Sequence, residues 1–193
     1  MEREDWDRRW EERSHHCHDD PVDVLVAEVS GLTPGRALDL GCGHGRAAVW
    51  LAEHGWRVTG VDYSEVALRL ARERRPDLDW VSADLRSYEP EPDAFDLVLV
   101  LYVHLPSHER QALLGRAAAA LVPGGTILVL GHAVENLGTG APGPSDPDVL
   151  YAAGEIGGEL AGLEPVKAER LTRRVETETG EAEAVDALVI ARR

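Results

Sequence analysis

A doubly wound α/β fold with a mainly parallel sheet is predicted by three features of this 193-residue chain. Apolar strand-like runs alternate with helical periodicities through most of its length, the pattern that lays parallel strands between helices on both faces. A glycine-rich turn, Asp39-Leu40-Gly41-Cys42-Gly43-His44-Gly45, lies between the first such strand and the helix after it. The C-terminal segment breaks the alternation with two strand-like runs in succession, which must add one antiparallel strand.

The elements follow in order. Residues 1–30 are read as N-terminal lid helices and 31–193 as a Rossmann-like core, together one domain with no linker to divide it. Trp6 and Trp10 stand one helical turn apart on one face. Pro21 to Ser30 is amphipathic, and Gly31, Pro34 and Gly35 close it. Ala37 to Leu40 is the first strand, running straight into the glycines. RAAVWLAEHG predicts a helix ending at Gly55, and Trp56 to Asp62 the second strand. Ser64 is an N-cap for a helix to about Arg75, where Pro76 stops it. Asp79 to Asp84 is the third strand and FDLVLVLY the fourth, on either side of a Pro-rich acidic loop. SHERQALLGRAAAALV is a helix ending before Pro123, and TILVLGH is the fifth strand. The Gly- and Pro-rich run 136–148 predicts a long loop of the kind that forms substrate walls. VLYAAGEIGGELAG predicts a helix weakened by its glycines. VKAERLTRRVE and AVDALVIARR flank Thr179 and Gly180 as a β-hairpin.

Composition narrows the function classes. The formal charge of −15, from 20 basic and 35 acidic residues, repels phosphate backbones, because nucleic-acid affinity rests largely on Lys and Arg releasing counterions. A small-molecule partner is expected, with no nucleic acid and no membrane. The apolar runs are too short to cross a bilayer and the N-terminus, MEREDWDRRW, is charged, so the expected setting is cytoplasmic. Two cysteines, Cys17 and Cys42, make no disulfide framework, in keeping with a reducing compartment. Lys167 is the single lysine amid abundant Arg, Ala and Gly, a bacterial habit of composition. Monomer and homodimer are both open.

The glycine turn carries the chemistry. Gly41, Gly43 and Gly45 alternate as D-x-G-x-G-x-G, with Asp39 two places ahead. The dinucleotide fingerprint has its third glycine one place later and offers helix N–H groups to a pyrophosphate. A ligand with an ammonium and a sulfonium but no phosphate suits an acid at Asp39. Asp62, at the end of the second strand, can accept from both ribose hydroxyls, with Tyr63 beside it. Asp84 can accept from an adenine amino group while Ala83 and Leu85 line the ring. Asp96, at the start of the fourth strand, reads as an anchor. Cys42 fits the turn as a small residue and not as a catalytic thiol. An NAD-type oxidoreductase is the alternative enzyme reading, disfavoured by the glycine spacing and by the lack of a recognisable hydride-site Tyr/Lys or Ser pair; a non-catalytic cofactor-binding protein is the other.

These residues resemble a known family. Arg36 to Ala71 is similar to the first two motifs of class I S-adenosylmethionine-dependent methyltransferases. FDLVLVLYVHLP resembles their fourth motif, and LVPGGTILVLGH the segment entering their fifth strand. The N-terminal WDRRWEERSHH resembles the first helix of the thiopurine and tellurite-resistance group of small-molecule methyltransferases. The resemblance implies a seven-stranded sheet with an antiparallel last strand. It implies S-adenosylmethionine over Gly41, Cys42, Gly43, Gly45 and Asp62, S-adenosylhomocysteine as product, and Trp6 or Trp10 closing the site, with Trp10 taken into the cofactor set.

The sulfonium methyl is already activated, so alignment and exclusion of water are the protein's tasks. A hydroxyl acceptor needs a base, and His104 at the end of the fourth strand is the candidate, with Tyr102 beside it. His132 ends the fifth strand at the same edge and is placed, with Asn136, His15 and His16, in the substrate set. The run His15-His16-Cys17-His18 with Asp19 and Asp20 is read as a substrate-facing lid with no metal, because adjacent side chains point in different directions. The acceptor atom, whether S, O, N or a chalcogen, is left open.

Overall fold

The computed structural model describes residues 2–13, 22–160, 162–177 and 180–193. Its strands are β1 (Arg36–Leu40), β2 (Arg57–Asp62), β3 (Asp79–Ser82), β4 (Phe95–Leu101), β5 (Leu121–His132), β6 (Glu164–Thr177) and β7 (Gly180–Arg192). They form one seven-stranded sheet in the order β3-β2-β1-β4-β5-β7-β6. β7 runs antiparallel to both β5 and β6, and the other neighbours are parallel. The closing hairpin therefore adds one reversed strand, as the sequence predicts.

Around the sheet lie α1 (Arg3–Arg13), α2 (Asp23–Val29), α3 (Arg46–Glu53), α4 (Glu65–Arg74), α5 (Ser107–Ala120) and α6 (Ala153–Glu159). Alternate residues of the central strands enter two different cores. Leu38, Val98, Val100 and Val129 pack with Leu113, Leu114 and Ile156 of α5 and α6. Ala37, Leu97, Leu99 and Leu128 pack with Leu25 of α2 and Ala48 and Leu51 of α3. Burial on both faces is why these strands read as unbroken apolar runs. Ser64 caps α4 by accepting from the Ala67 amide, and Asp96 accepts from the Arg36 amide at 2.7 Å, the anchoring role expected of it.

Three boundaries differ from expectation. β3 ends at Ser82, and the chain folds into a turn closed by the Ser87 and Tyr88 amides on the Asp84 carbonyl. β5 begins at Leu121, so Pro123-Gly124-Gly125 lies inside its span, where the Gly124 amide donates to the carbonyl of Arg193. The helix expected from Val149 starts at Ala153, because Tyr151 is recruited by the sheet instead. Its amide donates to the His132 carbonyl, its own carbonyl accepts from Val134, and a parallel bridge to Ala133 results. The buried Tyr151 ring lies over Gly131, the position where an added Cβ would meet it at 2.6 Å. Arg110, 2% exposed, ties α5 to α6 through a bidentate pair with Glu159 at 2.7 and 3.0 Å.

Candidate functional site

The strand order reverses between β1 and β4, since β1 pairs with β2 on one side and β4 on the other. Beyond the carboxyl ends of these strands lies the crevice in which open α/β sheets bind ligands. Two groups of side chains meet there.

The first belongs to β1, β2 and the turn between β1 and α3. Gly43 and Gly45 take φ of 55° and 84°, backbone that side-chain-bearing residues rarely adopt. A Cβ on Gly43 would strike the Trp10 ring at 2.7 Å, so α1 lays Trp10 directly over the turn. A Cβ on Gly45 would strike Trp80 of β3 at 2.5 Å. The third glycine thus serves close packing of α3 on the sheet, and a Cβ on the first, Gly41, would strike Val103. Cys42 is buried, and burial pushes its thiol up, so it is no thiolate nucleophile.

The acids are placed as follows. Asp39 is 1% exposed and its Oδ2 has no hydrogen-bond partner. Burial, reinforced by Asp62, raises its carboxyl to about 7 against the pull of Arg46. A sealed carboxylate with an empty oxygen is costly unless a cation completes it. Asp62 accepts from the Gly43 and Ser64 amides, each at 2.8 Å, and so staples the turn to α4. Each of its oxygens keeps a lone pair for a further donor. Asp84 is held by Arg86, whose Nε lies 2.8 Å from Oδ2, and this pair keeps the carboxyl below its usual range. Arg3 and Arg86 both stack on the Tyr63 ring, at 4.8 and 5.7 Å. On either side of Asp84, Ala83 is half-buried and Leu85 buried. Arg46, which the sequence reading passed over, opens α3, is partly buried, and makes no hydrogen bond or ion pair among the described residues.

The second group gathers at the ends of β4, β5 and β7. Tyr102 has φ of 56°, a strained backbone for an aromatic residue and a mark of a constrained site. Its hydroxyl donates to Asp186 Oδ2 at 2.9 Å. His132 Nδ1 lies 3.1 Å from Asp186 Oδ1, and Arg173 Nε 2.7 Å from Oδ2. His104 stacks on His132 with ring centres 5.2 Å apart and planes 8° from parallel. Its Nδ1 donates to the Val149 carbonyl at 2.8 Å, which leaves a lone pair on a buried Nε2 without a partner. Burial brings His104 down to about 4, so the ring is neutral at neutral pH. Asn136 turns its amide to the backbone of Val185, donating at 2.6 Å and accepting at 2.7 Å, and thereby pins the start of the long loop to β7. Gly143 of that loop lies against His132.

Tyr102, His104 and His132 are thus brought together, and Trp10, Asp39, Gly41, Cys42, Gly43 and Asp62 form the neighbouring group. His15 and His16 lie outside the described residues. Among the described residues no cluster of His, Cys, Asp and Glu is placed to hold a metal ion, and no helix is long and apolar enough to cross a membrane. The residues missed in the sequence are Arg46, Arg173 and Asp186. Asp186 had one visible signal, a lone acid inside the apolar run AVDALVIA.

Comparison with known proteins agrees with this geometry. Residues 37–125 match the family described as a methyltransferase domain. A trans-aconitate 2-methyltransferase of Paracidovorax citrulli (strain AAC00-1) is 38% identical over 138 residues, 65% of this chain and 49% of that protein. The chain therefore spans about half the length of the curated relatives it matches. An S-adenosylmethionine-dependent methyltransferase from Mesorhizobium loti superposes with a TM-score of 0.71 at 23% identity, covering 88% of this chain and 96% of that one. TehB from Haemophilus influenzae superposes with a TM-score of 0.75 at 18% identity, covering 97% and 67%. Motif and relatives agree: residues 37–125 are similar to the methyltransferase-domain family, and the fold resembles that of the Mesorhizobium loti protein.

Proposed function

We propose that the protein transfers the methyl group of S-adenosylmethionine to a small-molecule acceptor. The observation that carries this reading is Asp39: a sealed carboxylate with an empty oxygen, beside a glycine-lined turn and facing Asp62. The residues present fit the cofactor. Asp39 would take its ammonium, partly buried Arg46 its carboxylate, and Asp62 its ribose hydroxyls, with Trp10 covering the turn. Tyr63, Ala83, Leu85 and Asp84 would border the base, with Asp84 acting from within its pair with Arg86. Bound S-adenosylmethionine supplies an activated methyl on sulfur. The chain's own part is to hold both ends of the cofactor, exclude water through Trp10 and the long loop, and present the acceptor beside Tyr102, His104 and His132. In this reading Asn136 acts on the acceptor pocket through the loop it anchors. A cytoplasmic setting, a single functional domain and a monomeric or homodimeric state belong to the same reading, as does the absence of nucleic-acid partners that the charge of −15 supports.

The test is calorimetric binding of S-adenosylmethionine and S-adenosylhomocysteine with NAD as the control, followed by release of S-adenosylhomocysteine in the presence of an acceptor panel. Trans-aconitate, named for the sequence relatives, opens that panel. Retention of NAD and of neither sulfur ligand would falsify the proposal.

A further inference from the structure

We infer that His132 and Asp186 form a proton-accepting pair, His132 as the base and Asp186 as its positioning residue, so that the acceptor is a molecule whose nucleophile carries a hydrogen: a hydroxyl, thiol or amine. This rests on the methyl-transfer reading and names the substrate class of the same site.

The pair is built by the sheet. His132 and Asp186 are register partners on β5 and β7, so the antiparallel strand sets one against the other. Asp186 is 2% exposed and accepts from His132, Arg173 and Tyr102. Burial pushes its carboxyl up, but those donors outweigh it and hold the group below the usual range. An ionised carboxylate only accepts, so the proton between them belongs to His132 Nδ1 and the lone pair to Nε2. Among the described residues that Nε2 makes no hydrogen bond, and the side chain keeps 17% exposure beneath Gly143.

The neighbouring imidazole differs. His104 also donates through Nδ1, but to a neutral carbonyl, and its Nε2 is sealed. A proton arriving at His132 is balanced by Asp186, whereas one arriving at His104 has no counter-charge in contact. The base role expected of His104 therefore passes to His132, and the neutral His104 ring forms the wall it stacks on. The charged and titratable groups around His132 are Asp186 on β7, Arg173 on β6 behind it, and Tyr102 and His104 at the end of β4. Tyr102 is raised by burial and by Asp186, so it stays a donor.

In the step itself, the acceptor's lone pair forms the new bond to the methyl carbon as the carbon–sulfur bond breaks and its electron pair stays on sulfur. The acceptor's proton passes to His132 Nε2. The resulting imidazolium is held by the Asp186 carboxylate.

Nitrogen-15 NMR of histidine-labelled protein reads the pair without any acceptor. His132 is expected as the Nδ1–H tautomer at neutral pH; the opposite tautomer overturns the inference. In an acceptor panel of phenols, thiols, amines and trans-aconitate, His132→Gln is expected to slow release of S-adenosylhomocysteine from the hydrogen-bearing acceptors at least about tenfold, with S-adenosylhomocysteine binding retained. Asp186→Asn is expected to weaken the preference of His132 for the Nδ1–H tautomer while S-adenosylhomocysteine binding is retained, and an unchanged tautomer overturns the positioning role. Equal turnover of trans-aconitate by the wild type and His132→Gln, with no hydrogen-bearing acceptor used, overturns it. Should the wild type bind neither sulfur ligand, the methyl-transfer reading itself falls, and the tautomer still reports on the pair.

Discussion

The two halves of the crevice are made in opposite ways. On the proposed cofactor side, Asp39, the glycine turn, Arg46 and Asp62 lie within one strand–helix–strand unit, and their contacts are largely backbone to side chain. On the proposed acceptor side, Tyr102, His132, Arg173 and Asp186 come from four strand regions and meet on one carboxylate. The first half contains an acid with one oxygen unpaired, the second an acid with three donors upon it. An unfilled carboxylate waits for a ligand's charge; a filled one orients its neighbours. In the proposed function this separates binding from chemistry, and perturbing one half should leave the other in place.

The largest expected effect on this comparison comes from Asp62. Asp62→Ala removes the anchor of Gly43 and Ser64 together with the expected ribose acceptor, and calorimetry should show cofactor affinity falling by about 100-fold or more. Arg110→Ala attacks the support of the other half. It leaves Glu159 unpaired behind α6, and denaturant unfolding should show a loss of about 3 kcal/mol, with cofactor affinity in the remaining folded protein preserved.

Asp39 should give a pH signature. Its folded carboxyl lies at about 7, above the ordinary 3.8, so the native state holds a proton that the unfolded chain has lost between those values. Stability from this group is full below 3.8 and falls as pH rises toward 7. A cationic ligand reverses the preference. S-adenosylhomocysteine affinity should tighten by roughly tenfold per pH unit on approaching pH 7 and then level off. Asp39→Asn should flatten both curves, and a wild-type affinity independent of pH between 5 and 8 would sink the assignment.

The smallest effect on cofactor binding is expected from His104→Ala. Turnover should fall because the wall behind His132 is lost, while S-adenosylmethionine affinity stays within about threefold. A large loss of affinity would show that the halves are coupled.

Much of the fold could be read in advance, and so could the grouping of Asp39 and Asp62 at the glycine turn. Strand and helix alternation, the capping serine at Ser64 and the D-x-G-x-G-x-G turn are local patterns, and local patterns dictate backbone conformation directly. Asp39 and Asp62 were legible because the turn and the following strand bring them together within one unit. The function of Gly45 was not, because the ring that demands it, Trp80, arrives from a different strand. Asn136 looked like a polar loop residue free to meet a substrate, yet its amide completes the backbone of β7. The helix start at Ala153 was likewise decided by the sheet, which draws Tyr151 into a bridge that no helical propensity reports.

What the amino-acid order determined by itself is the class of the fold, the glycine turn and the acids that flank it, since each depends on residues a few positions apart. Tertiary structure alone decided the partner of His132. Register between β5 and β7 sets Asp186 opposite it across 54 residues of chain, and nothing in either segment encodes that pairing until the reversed strand is inserted beside β5. Contacts made by strand register depend on the whole sheet, and so become visible only once the sheet is assembled.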